Sequence, residues 1–235
     1  MASPRILPLA SFLGLLLLGS NPVSAHDFWI ERDSAGFSLQ RGHAGGQRLP
    51  LDPRKIVTIR CLDPKGKALD ALASARFENT RATIQASCTL ISAYEDGGYY
   101  SLTPDGEKNL PKNQATNAVK AWRSKQFAKW VDSRSPLQTK ALGDELEVVP
   151  VTDLAKVKAG DKATFRILLQ GKPIVGAILA IDHKGIGESD DEGVVRIRIR
   201  EGRNMTVAAT YRRPLKSQEA DAEVFEASLT FEVGK

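Results

Sequence analysis

Histidine and cysteine are scarce in this chain of 235 residues, with three of the first and two of the second. Two cysteines exclude a cysteine-dense miniprotein, and the absence of C-x-x-C spacing argues against a zinc ribbon or a thioredoxin-type redox pair. The motifs G-x-S-x-G, H-E-x-x-H, G-x-x-x-x-G-K-[ST] and G-x-G-x-x-G are also missing, which removes the usual sequence support for serine hydrolases, zincins and nucleotide enzymes. The chain has no cationic block either: 33 basic residues face 28 acidic ones, for a formal net charge of +5, and both kinds are spread along its length. No nucleic-acid partner is expected from that balance. There is no internal repeat and no low-complexity tract. A chain that is 42% apolar and 26% charged is instead an ordinary globular one.

Only one apolar run is long. It extends from Ile6 to Leu18 behind Arg5, is broken by Ser20-Asn21-Pro22, and is followed by the small-residue tripeptide Val23-Ser24-Ala25. The run is shorter than the roughly 20 residues a spanning helix needs, and the A-x-A-like end predicts a secretory signal peptide over residues 1–25. The expected protein is therefore exported and periplasmic, without stable membrane insertion after cleavage. Processing at Ala25 would leave His26 first, with a free α-amine.

In an oxidising compartment Cys61 and Cys88 are expected to pair. Closing a loop of about 28 residues contributes roughly 3.5 kcal/mol on the chain-entropy argument.

The fold class expected is mostly β, in two domains. Residues 26–145 read as a small antiparallel β domain, with short strand-like stretches at Phe28-Trp29-Ile30, Gly36 to Leu39, Ile56 to Cys61, Thr83 to Leu90 and Gly98-Tyr99-Tyr100, divided by turns such as Glu95-Asp96-Gly97-Gly98. Within this domain, Ala115, Ala118, Val119, Trp122 and Trp130 fall near one helical face, so an amphipathic helix is predicted over 113–132, with Pro111 before it and Asn113 as its cap. Residues 146–235 alternate more regularly. Val195, Ile197 and Ile199 interleave with Arg196, Arg198 and Arg200, which is the pattern of a sheet with one buried and one wet face. Strands at roughly ten-residue intervals predict a β-sandwich of immunoglobulin or transthyretin type there. The three arginines suit a solvated strand face.

No catalytic constellation is present, and Asp190-Asp191-Glu192-Gly193 lacks the spacing of an EF-hand loop. The three histidines stand out instead. A mature His26 could chelate through both α-amine and ring, His43 lies in the glycine-rich Arg41-Gly42-His43-Ala44-Gly45-Gly46, and His183 follows Asp182, which could bind a metal or orient a ring. One amine and three imidazoles would make a four-nitrogen set suited to nickel(II), copper(II) or, less selectively, zinc. The spacing alone does not bring these residues together.

The opening His26-Asp27-Phe28-Trp29-Ile30-Glu31, together with Gly42-His43, Lys108 to Asn113, Leu146 to Pro150, Val157 to Asp161, Gly171-Lys172-Pro173, Asp182-His183 and Ala227 to Val233, resembles an exported domain-of-unknown-function family described as the periplasmic component of cobalt/nickel (ABC-type) uptake systems. The resemblance covers nearly the whole chain after residue 25. It implies a non-enzymatic, β-rich protein that binds nickel or cobalt at His26, His43 and His183 and works with a membrane metal transporter. Cys61 and Cys88 depart from the family pattern. Two alternatives remain open at this point: a secreted β-sandwich interaction module without a metal, and a copper enzyme of the histidine-brace kind.

Overall fold

The computed structural model describes residues 27–34, 36–43 and 46–234. The expected signal peptide and His26 lie outside the described residues. The strands are β1 Asp27–Asp33, β2 Gly36–Gly42, β3 Ile56–Leu62, β4 Ala68–Asp70, β5 Ala75–Phe77, β6 Arg81–Ile84, β7 Leu90–Thr103, β8 Gly106–Lys108 and β9 Lys120–Val131. They continue with β10 Leu146–Pro150, β11 Lys162–Leu169, β12 Lys172–Pro173, β13 Ile178–Ile181, β14 Lys184–Glu188, β15 Val194–Arg198, β16 Asn204–Pro214 and β17 Ala222–Glu232. The fold is mostly β, as its sequence pattern implies. Among the described residues no helix is long and apolar enough to cross a membrane.

A nine-stranded sheet, ordered β14-β13-β16-β17-β9-β7-β3-β4 with β8 added to β7, forms the middle of the molecule. Four-stranded sheets, β1-β2-β6-β5 and β10-β11-β12 with β15 on β11, cover its two faces. Side-chain alternation on β9 shows the layering: Phe127 and Val131 enter one core with Val148, Phe165 and Leu229, while Ala128 and Trp130 enter another with Phe28, Phe37 and Ile91. The second core contains the Cys61–Cys88 disulfide. The C-terminal strands form two facing sheets, a β-sandwich. β9 and β17 pair in parallel from Trp122↔Ala222 to Val131↔Phe231, so the hydrogen-bond ladder runs unbroken across the expected boundary at 145/146.

The amphipathic helix expected over 113–132 is not formed. A three-residue 3-10 turn at Lys112–Gln114 precedes the strand β9, which lies between β7 and β17. The helical spacing misleads because β9 is covered on both faces towards its end, so apolar residues occupy consecutive positions instead of alternating ones. Its lysines, which suggest a polar helix face, are neutralised in place. Lys125 pairs with Glu145 and Glu223, and the buried Lys129 lies 2.7 Å from Glu147. Glu95 to Gly98 is likewise no turn but a bulge inside β7. There the register slips between Asp96 and Gly98, Gly98 takes φ +78°, and a Cβ on Gly97 would press to 2.9 Å against Ser124.

Candidate functional site

Two of the three histidines meet. His43 Nδ1 lies 2.9 Å from His183 Nε2, with the rings edge to face and their centroids 4.6 Å apart. The same His183 nitrogen is 3.2 Å from Asp27 Oδ2. The fold brings each one there separately. Asp27 is the first residue of β1 and pairs with Gly42, the last of β2, so the ladder itself sets the carboxylate beside the loop that starts at His43. Gly42 adopts φ +131°, and a Cβ there would come to 2.3 Å from the Gln47 carbonyl oxygen, so only glycine lets the chain turn this tightly into His43. The loop then closes on itself, with His43 N–H donating to Gln47 O and Gly46 N–H to His43 O.

His183 arrives from the far edge of the central sheet, at the tip of the β13–β14 hairpin. Asp182 and His183 both have positive φ, 49° and 61°. A two-residue hairpin loop of this shape favours Asn-Gly, and an imidazole in the second position is held at a conformational cost. Asp182 does not join the cluster; its carboxylate is paired with Arg200 and largely exposed.

Two ring nitrogens facing each other at 2.9 Å would set lone pair against lone pair unless a proton or another cation lies among them. His183 Nε2 cannot at once accept from His43 and donate to Asp27. A single N–H on His183 Nε2 that faces both His43 Nδ1 and Asp27 Oδ2 resolves that conflict. The spacing also suits a metal: bonds of about 2.0–2.1 Å at roughly 90° place two cis nitrogens about 2.9 Å apart. Among the described residues, no group of three or more His, Cys, Asp or Glu side chains is arranged so as to hold an ion. His26, next to Asp27 in the chain, is not one of those residues.

Next to this cluster lies a polar row that the sequence pattern did not suggest. Glu95, Gln126 and Glu226 are direct cross-strand neighbours on β7, β9 and β17. Gln126 Nε2 donates to Glu226 Oε2 at 2.5 Å, and Arg41 of β2 reaches Glu95 at 3.9 Å and the Tyr100 hydroxyl at 3.4 Å. Burial pushes the Glu226 carboxyl above its ordinary range, and the nearby Asp27 and Glu95 charges push it further the same way. Glu95 is raised chiefly by burial, which Arg41 partly offsets, and among the described residues its Oε2 has no hydrogen-bond partner. The available sequence signal was charge inside strand-forming stretches, which reads equally well as turn chemistry.

The predicted disulfide is present: Cys61 and Cys88 are joined, with Cα atoms 5.5 Å apart. No curated protein and no solved structure matches the chain. The model of one family, described as a domain of unknown function (DUF4198), matches residues 23–212. With most of its length covered, the chain belongs to that family.

Proposed function

We propose that this protein is an exported, non-enzymatic carrier of a divalent transition metal, nickel or cobalt, which His43 and His183 hold together with the amine and ring of a processed His26. The reading rests on the 2.9 Å approach of two imidazole nitrogens 140 positions apart in the chain. Asp27, 3.2 Å from the same His183 nitrogen, supplies a fifth donor. The metal is cargo here. Partial exposure of His183, 35% for its side chain, leaves a route for the ion to leave towards a membrane uptake system. Because the imidazoles must give up protons to bind, affinity falls on acidification.

Calorimetric titration of protein processed to begin at His26 tests this, using nickel, cobalt, copper and zinc in turn. Nickel or cobalt should bind, and His43→Ala or His183→Gly should each weaken binding by at least about 10–100-fold, the loss that follows when only a ligand's supporting partner is removed. Equal nickel binding by wild type and His183→Gly would overturn the assignment. Unchanged binding after His26→Ala would remove the N-terminal donor from it.

A further inference from the structure

The outer face of the C-terminal layer carries four cations that no carboxylate answers. On β11, Ala163, Phe165 and Ile167 enter the core, which sends Lys162, Thr164 and Arg166 outward; on β15, Val195 and Ile197 enter it, which sends Arg196 and Arg198 outward. The register sets Lys162 directly opposite Arg198, and Thr164 opposite Arg196. Like charges facing each other across a ladder are destabilising. Several strand cations on the central sheet are matched instead: Lys125 with Glu145 and Glu223, Lys129 with Glu147, Arg123 with Asp96, Arg213 with Glu223. Among the described residues none of the four outer cations is in an ion pair. Arg198 Nη1 donates to the Gly160 carbonyl at 2.5 Å, and Arg166 Nε is buried without a partner. Val151, whose N–H donates to Thr164 O, is 46% exposed beside them.

We infer that this face docks on an anionic phospholipid surface. An external layer of negative charge relieves the repulsion that the fold leaves standing. Three of the four cations are arginines, whose planar forks match phosphate better than a lysine does. The strip from Lys162 to Arg166 is about 13 Å of extended strand, so its charges can meet a layer of headgroups together, whereas a single small anion could not reach them all. The exposed valine suits the same headgroup layer, which accepts apolar side chains among basic ones. This inference does not depend on the metal reading, because the face contains none of the three histidines.

Co-sedimentation of the whole protein with vesicles tests it. Vesicles of phosphatidylcholine containing phosphatidylglycerol should bind the protein at low salt and release it at high salt, and vesicles of phosphatidylcholine alone should not bind it. The double substitution Arg196→Gln/Arg198→Gln should weaken binding about thirty-fold, the effect of removing two basic residues from an anionic surface. Lys65→Gln/Lys67→Gln removes the same charge from an exposed turn and should bind like the wild type. An equal loss in both double variants, or none in the arginine pair with its melting curve unchanged, would overturn the inference. Polyglutamate that displaces the protein from vesicles as effectively as added lipid would assign the face to an acidic protein partner instead.

Discussion

On β9 the adjacent residues Lys129 and Trp130 point to opposite faces of the central sheet, and each is buried by different means. Lys129 faces the C-terminal layer, where the core is large and built from regular strands. Its ammonium is held by Glu147, which also accepts from Leu142 and Gly143 N–H groups and so pins the connection between β9 and β10. Trp130 faces the N-terminal layer, where β5 and β6 are short and the core is closed by a disulfide and by aromatic contact with Phe37. One face can therefore bury a charge because a full network surrounds it. The other core is smaller and depends on a few large contacts and a covalent tie.

The sharpest way to break this comparison is to truncate the two neighbours in turn. Lys129→Ala leaves Glu147 buried without its counter-ion and should cost about 3–5 kcal/mol in urea unfolding; Lys129→Met/Glu147→Leu should recover most of that. Trp130→Ala should cost about the same through a cavity, with faster amide exchange confined to the N-terminal layer. Removing the disulfide with Cys61→Ala/Cys88→Ala comes next. It should lower stability by about 3.5 kcal/mol, and limited proteolysis should show cuts in the N-terminal layer first.

Two carboxylates on opposite faces then separate the layers by pH. Glu95, on the N-terminal side, is pushed above the ordinary glutamate value of 4.5 by burial. Its contribution is present below that value and is lost as pH rises through the elevated one, by up to about 1.4 kcal/mol per pH unit. Glu223, on the other side, resists the upward push of burial because Arg213 and Lys125 hydrogen-bond it, and it falls below 4.5. Its contribution is present above 4.5 and is lost as pH falls through the depressed value. Melting curves from pH 3 to 8 should therefore show Glu95→Gln gaining on wild type towards the alkaline end and Glu223→Gln losing there.

The smallest expected effect has the opposite sign. His183→Gly relieves a left-handed non-glycine residue and should stabilise the protein by about 0.5–1 kcal/mol, read as a raised melting temperature. A fold that would be steadier without this imidazole keeps it for another reason, and under the proposed function that reason is metal binding.

Strands β11 and β15 of the C-terminal layer were legible because each has one wet face. Val195-Arg196-Ile197-Arg198 alternates visibly, and the alternation matches the observed burial. The same rule failed on β9. A strand covered on both sides loses its period of two, and Trp122 and Trp130 then fall at helical spacing by coincidence. The candidate site divided in a similar way. His43 and His183 were identifiable as residues because imidazole is rare in this chain, and Gly42 marked a tight approach. Asp27 gave no signal, since its role arises from pairing with Gly42. Asp182 looked like a ligand from its neighbour in sequence, yet the hairpin turns its carboxylate to Arg200.

By itself the sequence determined the β class and the disulfide partners, because alternation and cysteine count are properties of short stretches. Tertiary structure alone decided that a nine-stranded sheet runs through both halves, that two histidines 140 positions apart touch, and that Glu95, Gln126 and Glu226 form one row. Each of these depends on which strands become neighbours and in what register. That choice is made by burial summed over the whole chain, which no local window contains.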